Sequence, residues 1–284
     1  MANIAFLGTG LLGSAFAEAA AKRGDAVTAW NRSPDKVAAL ARFGVKAAAT
    51  PADAVRGASR VHLVLKEDAV VDEVVAAALP GLSADAVLID HSTTLPRLTA
   101  ARAERLQAHG VRYLHCPVFM GPAAARSAQG LMVAAGPRTL FETVEAELSR
   151  MTGQLAYMGE RADLAAVDKL LGNAMIIGIW AVMADVLTLA RASGVDAGDA
   201  IKLLGMIDLD AMVARRGASM AKGDFSPSFE LAMARKDVRL MLEVAGDQPL
   251  AALPAVAARM DRLIAAGHGA MDASVMAVDA MRRA

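Results

Sequence analysis

The sequence predicts an α/β fold: a doubly wound domain with a parallel sheet, followed by an all-α helical domain, the two joined by a long interdomain helix. Three observations carry this reading. Short apolar and β-branched runs alternate with helical segments through the first 160 residues, nothing after Gly159 reads as a strand, and an apolar stretch at helical spacing covers residues 162–192. A chain of 284 residues exceeds one typical domain, so the expected division is 1–160 and 161–284.

The first run, Asn3-Ile4-Ala5-Phe6-Leu7, is a strand. Gly8-Thr9-Gly10-Leu11-Leu12-Gly13 follows it directly and opens an Ala-rich helix that ends before Gly24. This is the spacing of a Rossmann-type dinucleotide loop. The first glycine permits the tight turn, the second lets backbone approach the pyrophosphate, and the third lets helix and strand pack closely, with the phosphates at the helix N-terminus. Gly8, Thr9, Gly10, Leu11, Leu12 and Gly13 are therefore the first cofactor-binding candidates.

Ala26-Val27-Thr28-Ala29-Trp30 forms the second strand. At its end, where an acid would grip the ribose hydroxyls of NAD, stand Asn31, Arg32 and Ser33. A carboxylate would repel a 2′-phosphate, whereas an amide, a guanidinium and a hydroxyl donate to it, and Lys36 adds a cation one turn on. The expected cofactor is NADP (NADPH) in preference to NAD. Asn31 or Ser33 can also serve as an N-cap ahead of Pro34. Further strands are expected at 61–65, 86–90, 111–115 and 131–135, all in a parallel sheet covered by helices on both faces.

Composition narrows the partners. Lys plus Arg equals Asp plus Glu at 30 each, so no net field favours nucleic acid or an anionic membrane. The one cysteine, Cys116, excludes an intrachain disulfide framework and fits a reducing compartment. His62, His91, His109, His115 and His268 show no metal-ligand spacing, and no structural metal is expected. In the second half the longest fully apolar run, 174–184, stops at Asp185 and is too short to span a bilayer; residues 4–13 are already a strand and its loop rather than a signal peptide. A cytoplasmic location with a small-molecule substrate is expected, without nucleic acid or membrane as partner.

The interdomain helix carries Met175, Ile176, Ile177, Ile179, Trp180, Val182 and Met183 around its middle. A helix apolar on every side must be covered on every side. Either its own domain supplies the cover or a second copy does, and a homodimer or homotetramer is expected. Nearer its start, Lys169 and Asn173 lie four apart and so share one face. A helix that leaves a doubly wound sheet passes the carboxyl ends of the strands, where the cofactor lies, and can deliver a side chain there. Lys169 is thus a candidate general acid/base, provided that desolvation lowers its proton affinity. Asp168 does not neutralise it, because adjacent helical residues point about 100° apart. A surface lysine at a helix start is the bland alternative.

Taken together, these motifs resemble the β-hydroxyacid dehydrogenases, the family of 3-hydroxyisobutyrate dehydrogenase and the semialdehyde and glyoxylate reductases, within the wider 6-phosphogluconate dehydrogenase superfamily. The likeness rests on Gly8 to Gly13 with Asn31-Arg32, on Asp90-His91-Ser92-Thr93-Thr94-Leu95-Pro96, on Cys116-Pro117-Val118 with Gly121, on Lys169 with Asn173, and on Phe225-x-Pro-x-Phe229 leading to Lys236-Asp237. The resemblance implies that Lys169 gives or takes the hydroxyl proton while hydride passes at the nicotinamide, and that Asn173 orients the substrate oxygen. It implies too that Thr93, with Ser92, lies by the nicotinamide, that Leu65 and Lys66 pass the adenosine side, and that Lys236 contacts the cofactor. Phe119, Met120 and Gly121 fall in the implied substrate loop. Where the family reads Pro-Val-Ser-Gly-Gly, this chain has Pro117-Val118-Phe119-Met120-Gly121, so a bulkier, more apolar or differently held substrate is expected.

Two other readings compete. An imine reductase shares the fold and is suggested by the altered substrate loop, although such enzymes usually place Asp or Tyr where Lys169 stands. A non-catalytic NADP-sensing protein would explain the glycine loop but would give Lys169 and Asn173 no role.

Overall fold

The computed structural model describes residues 2–281. The chain forms two compact units that part between Asn173 and Ala174. The first holds β1 (Asn3–Leu7), α1 (Leu11–Lys22), β2 (Ala26–Trp30), α2 (Asp35–Ala38), β3 (Lys46–Ala47), α3 (Pro51–Val55), β4 (Arg60–Leu63), α4 (Asp68–Ala78), β5 (Val87–Asp90) and α5 (Pro96–Ala108). It continues through β6 (Arg112–His115), β7 (Val118–Phe119), α6 (Pro122–Arg126), β8 (Leu131–Ala135), α7 (Arg138–Ser149) and β9 (Gln154–Gly159) into α8 (Leu164–Ala192). The second unit takes up the rest of α8, then α9 (Ala197–Leu204), α10 (Leu209–Lys222), α11 (Leu231–Ala245) and α12 (Leu253–Leu263). The expected boundary at 160/161 marks the passage from β9 to α8, whereas the compact units divide inside the helix.

The sheet runs in the order β3-β2-β1-β4-β5-β6-β8-β7, with β9 on β8. It winds one way from β1 to β3 and the other way from β4 to β6, so the order reverses between β1 and β4. Strands β1 to β6 pair in parallel, as expected, but β8 is antiparallel to β6 and β7. The expectation of a wholly parallel sheet fails there for a plain reason. The link from β6 to β8 holds the two-residue β7 and the five-residue α6, not a full crossover helix that would bring the chain back to the same end. Two-residue β3 and β7 are too short to show a period. Gln154–Gly159 is a half-exposed edge strand without clear alternation, which hid β9.

Period-two alternation builds both faces of the sheet. Ile4 and Phe6 point into one core with Phe16, Val27, Ile89 and Phe141. Ala5 and Leu7 point into the other with Val61, Leu63, Leu88 and Val75. In the second unit, Leu231, Val238, Met260 and Leu263 form a smaller core. Two buried carboxylates organise that unit. Asp185, on α8, accepts the N–H groups of Ala251, Ala252 and Leu253 at 2.5, 2.9 and 2.8 Å, so it caps α12. Burial opposes the charge, yet these three donors hold its carboxyl below the usual range. Asp272 accepts from Ser228, Phe229 and Ser274 and pairs with Arg216.

Although α8 is not one uninterrupted apolar run, it is long and apolar enough to cross a membrane by length and composition, with a mean hydropathy of 1.9 over its most apolar window. Its middle is left bare by the rest of the chain: Trp180 is 61% and Ile177 58% exposed, and Met175, Ile179, Val182 and Met183 are also exposed.

Candidate functional site

The parallel register fixes the rim of the site. Leu7 lies beside Trp30 and Leu63, Leu63 beside Asp90, and Asp90 beside His115. The residues that follow each of these, beginning with Gly8, Asn31, Val64, His91 and Cys116, therefore emerge together at the carboxyl ends of the strands.

Each glycine of the loop has a separate physical reason. Gly8 has φ of 100°, and a Cβ there would stand 2.3 Å from the Val64 carbonyl oxygen across the switch point. A Cβ on Gly13 would meet the Gly8 carbonyl oxygen at 2.0 Å, so α1 could not pack on its own loop. Nothing lies within 4 Å of a Cβ built on Gly10. That glycine is not demanded by the protein's own packing, which leaves room for something to approach its backbone.

The surroundings of that space are donors. Ser14 N–H, bonded to the Gly10 carbonyl at 2.9 Å, makes the first bond of α1, so the N–H groups of Leu11, Leu12 and Gly13 precede any intrahelical partner. The Thr9 hydroxyl is buried with no partner among the described residues. Leu11, at 83% exposed, leaves its side chain in solvent. An anion fits this set of groups.

Asn31 has a role that its sequence position did not announce. Its Oδ1 accepts the Thr9 N–H at 3.0 Å and its Nδ2 donates to the Ser33 carbonyl at 3.2 Å, tying the end of β2 to the glycine loop. The alternative reading of Asn31 or Ser33 as a helix cap is corrected: no side chain caps α2. Arg32, Ser33 and Lys36 are exposed, and among the described residues neither cation is in an ion pair. On the other side of β1, Leu65 is half-buried and its N–H donates to Ser92 Oγ at 3.0 Å, while Lys66 is exposed and paired with Glu67 at 3.6 Å. The structure thus gathers Gly8 to Gly13, Asn31 to Ser33, Leu65 and Ser92-Thr93 along one edge of the sheet. Lys236 stands on α11 of the second unit, ion-paired with Asp237 at 2.8 Å.

The second cluster centres on Lys169 near the start of α8. Only 9% exposed, it donates from Nζ to the Val118 carbonyl at 2.7 Å and to Asn173 Oδ1 at 2.9 Å. Its ammonium lies 4.1 Å from the centre of the Phe119 ring. β7 makes this possible: pairing Val118 with Met132 and Phe119 with Leu131 fixes the backbone that offers its carbonyl to Lys169. On the other flank, Gly172 makes the notch for the ring, since a Cβ there would lie 2.4 Å from Phe119 Cε1. Burial lowers the proton affinity of Lys169. Met120 is half-buried, Gly121 exposed. Arg126, on α6, pairs with Glu18 of α1 at 2.8 Å and so fastens α6 to the cofactor-loop helix.

Several residues at the site went unpredicted. Gly172 carries no motif, and only the size of Phe119 explains it. Asp68, on α4, and Arg102, on α5, hold the loop after β5 through contacts 27 and 34 residues apart in sequence, a separation without a local signature. His91 and His115 are buried, as is the free thiol of Cys116, which burial pushes up.

The family model described as the NAD binding domain of 6-phosphogluconate dehydrogenase matches residues 3–159. The one described as NAD-binding of NADP-dependent 3-hydroxyisobutyrate dehydrogenase matches residues 165–279. Among curated proteins, the chain is 28% identical to glyoxylate/succinic semialdehyde reductase 1 of Arabidopsis thaliana, over 90% of this chain and 89% of that one. Among solved structures, an imine reductase from Pseudomonas sp. superposes with a TM-score of 0.90 at 20% identity, covering 99% of each chain. A reductive aminase from Aspergillus terreus in complex with NADPH and ethyl levulinate gives 0.89 at 22% identity over 99% of this chain and 100% of that one. At these identities the two structures establish the fold.

Proposed function

The chain belongs to the β-hydroxyacid dehydrogenase family, which makes it an NAD(P)-dependent oxidoreductase acting on a small molecule, and we propose that it reduces an aldehyde or oxo acid, or oxidises the matching β-hydroxy acid, with Lys169 as general acid/base. The observation that carries this is the state of Lys169: nearly buried, and bonded to two groups that can only accept, Val118 O and Asn173 Oδ1. An ammonium has three N–H donors. Two are used, and the third is left for the substrate oxygen; after it is given up, a lone pair stands in the same place to take it back. The Phe119 ring stabilises the charged form that a reduction needs, while burial keeps that proton easy to lose. Asn173 has its Oδ1 engaged by Lys169, so its Nδ2 is free to donate to the oxygen of the substrate.

Bound NADPH would supply the hydride. The groups suited to hold it are the Gly10 backbone, the early N–H groups of α1 and the unpartnered Thr9 hydroxyl at the pyrophosphate, with Thr93 by the nicotinamide and Leu65 on the adenosine side. Arg32 and Lys36, exposed and in no ion pair among the described residues, support NADP over NAD with Ser33, because they would meet a 2′-phosphate with cations where the end of β2 carries Asn31 in place of a carboxylate. Phe119 presents an aromatic face beside Lys169 and Met120 follows it in the loop, which supports a substrate with an apolar flank. The bare apolar middle of α8 supports a homodimer or homotetramer in which a second copy covers it.

A panel of semialdehydes, glyoxylate, uncharged aldehydes, β-hydroxy acids and cyclic imines, followed by NADPH absorbance, tests this reading. Turnover of aldehydes or oxo acids is expected. Reduction of cyclic imines alone would instead identify an imine reductase, and binding of NADPH without turnover of any class would identify a sensor.

A further inference from the structure

Thr93 is exposed and has no side-chain hydrogen bond among the described residues, yet every residue around it is tied down. Ser92 N–H donates to Asp90 Oδ1 at 2.9 Å, and Ser92 Oγ accepts Leu65 N–H. His115 Nε2 donates to the Ser92 carbonyl at 3.0 Å. Thr94 Oγ1 bonds Thr99 Oγ1 at 2.7 Å, and Leu95 N–H donates to Asp68 Oδ2 at 2.9 Å. The loop from Ser92 to Leu95 therefore hangs at each end from a carboxylate, Asp90 on β5 and Asp68 on α4.

One guanidinium faces both carboxylates. Arg102, wholly buried on α5, donates from Nη2 to Asp68 Oδ1 at 2.9 Å and from Nε to Asp72 Oδ1 at 2.7 Å, and its Nη1 lies 3.9 Å from Asp90 Oδ2. That Nη1 has no hydrogen-bond partner among the described residues. Tyr113 OH donates to the same Asp90 oxygen at 3.0 Å, completing its fixation. Placing a guanidinium here is a poor way to gain stability, because a well-packed apolar side chain of similar volume commonly does as well or better. Its distinctive effect is geometric: it orients the Asp68 carboxylate so that one oxygen meets Arg102 and the other meets the loop.

We propose that Asp68 and Arg102 are positioning residues that hold the Ser92–Leu95 loop so that Thr93 is presented at a fixed place on the rim. The proposal rests on the reading that Thr93 lies by the nicotinamide. Neither residue needs to touch substrate or cofactor; both act through the backbone of Leu95.

The test uses the full-length protein and compares Asp68→Leu, Asp68→Asn, Thr93→Ala and the double variant Asp68→Leu/Thr93→Ala, with kcat, KM and NADPH Kd measured for each and circular dichroism reporting the fold. Asp68 gives one oxygen to Arg102 and the other to Leu95 N–H; Asn has one oxygen and can serve only one of them, and Leu serves neither. Asp68→Leu, Asp68→Asn and Thr93→Ala are each expected to lower kcat by about tenfold, and the double variant to be no worse than the poorer single one. Losses that multiply in the double variant, or a kcat unchanged in Asp68→Leu, would overturn the proposal. A silent Thr93→Ala would overturn the reading of Thr93 itself, and the proposal with it, while activity through Lys169 stood untouched. Should Asp68→Leu not fold, Arg102→Lys, which keeps charge and stem but loses the fork, must show the same non-additivity with Thr93→Ala.

Discussion

At the scale of single residues, chemistry and position separate cleanly. Lys169 and Asn173 are legible in sequence because their spacing of four puts them on one helical face just ahead of an apolar stretch, where an ammonium needs a reason. What sequence does not show is the Val118 carbonyl and the Phe119 ring that complete the cage, since both depend on how β7 pairs. Arg32 is the converse case. Its type and place at the end of β2 were readable, and among the described residues it is exposed and in no ion pair. Replacing Arg32 with Gln is expected to weaken NADPH binding by about tenfold or more while leaving NADH nearly unchanged, a loss of order 1.4 kcal/mol or more for a charge-assisted contact. Fluorescence titration with both cofactors checks it, and equal weakening of the two would remove the 2′-phosphate assignment.

At the scale of elements, the strands and the long helix follow from their periods, but short pieces do not. β7 has two residues and still sets the site, because it aims one carbonyl and one ring at α8. Gly172 shows how the helix answers. In a helix interior, glycine costs about 0.5–1 kcal/mol relative to alanine, so a gain in stability would be expected on replacing it. Here the new Cβ would press on the far end of the Phe119 ring, which can swing aside without moving backbone. Gly172→Ala is therefore expected to leave the melting temperature within a few degrees of the parent, yet to lower kcat/KM several-fold by displacing the ring from Lys169. Unchanged kinetics would show that the ring has no part in the reaction. The wholly parallel sheet failed as an expectation at this same scale, because strand direction is set by the connection and the five-residue α6 is too short to carry the chain back for a parallel return.

At the scale of the whole molecule, the first unit is held by a buried imidazole row that ties strand ends together. His91 Nδ1 donates to the Cys116 carbonyl at 2.7 Å, which leaves Nε2 to accept from His62 Nδ1 at 2.9 Å. That pattern suits neutral rings. Burial lowers the proton affinity of His62 and His115, and brings His91 to about 4 from its ordinary 6.5. The unfolded chain therefore binds protons that the folded one refuses. His91's contribution is fully present above pH 6.5, is lost as pH falls from 6.5 toward 4, and amounts to about 3 kcal/mol across that range. Carboxylates held low, such as Asp185 and Asp272, lose stability in the same direction at still lower pH. Urea unfolding midpoints should fall steadily from pH 7 to pH 5, and a flat profile across that interval would contradict the neutral row. None of this was readable from the sequence, where the histidines are scattered and their adjacency depends on strand order.

In the proposed reaction one buried lysine moves the proton while the glycine-loop domain holds the cofactor. The most direct measurement is turnover of Lys169→Ala beside its NADPH dissociation constant. We expect turnover to fall by about a hundredfold or more with cofactor affinity nearly intact, since Lys169 bonds Val118 and Asn173 rather than the glycine loop. Turnover that survives the substitution would contradict the account.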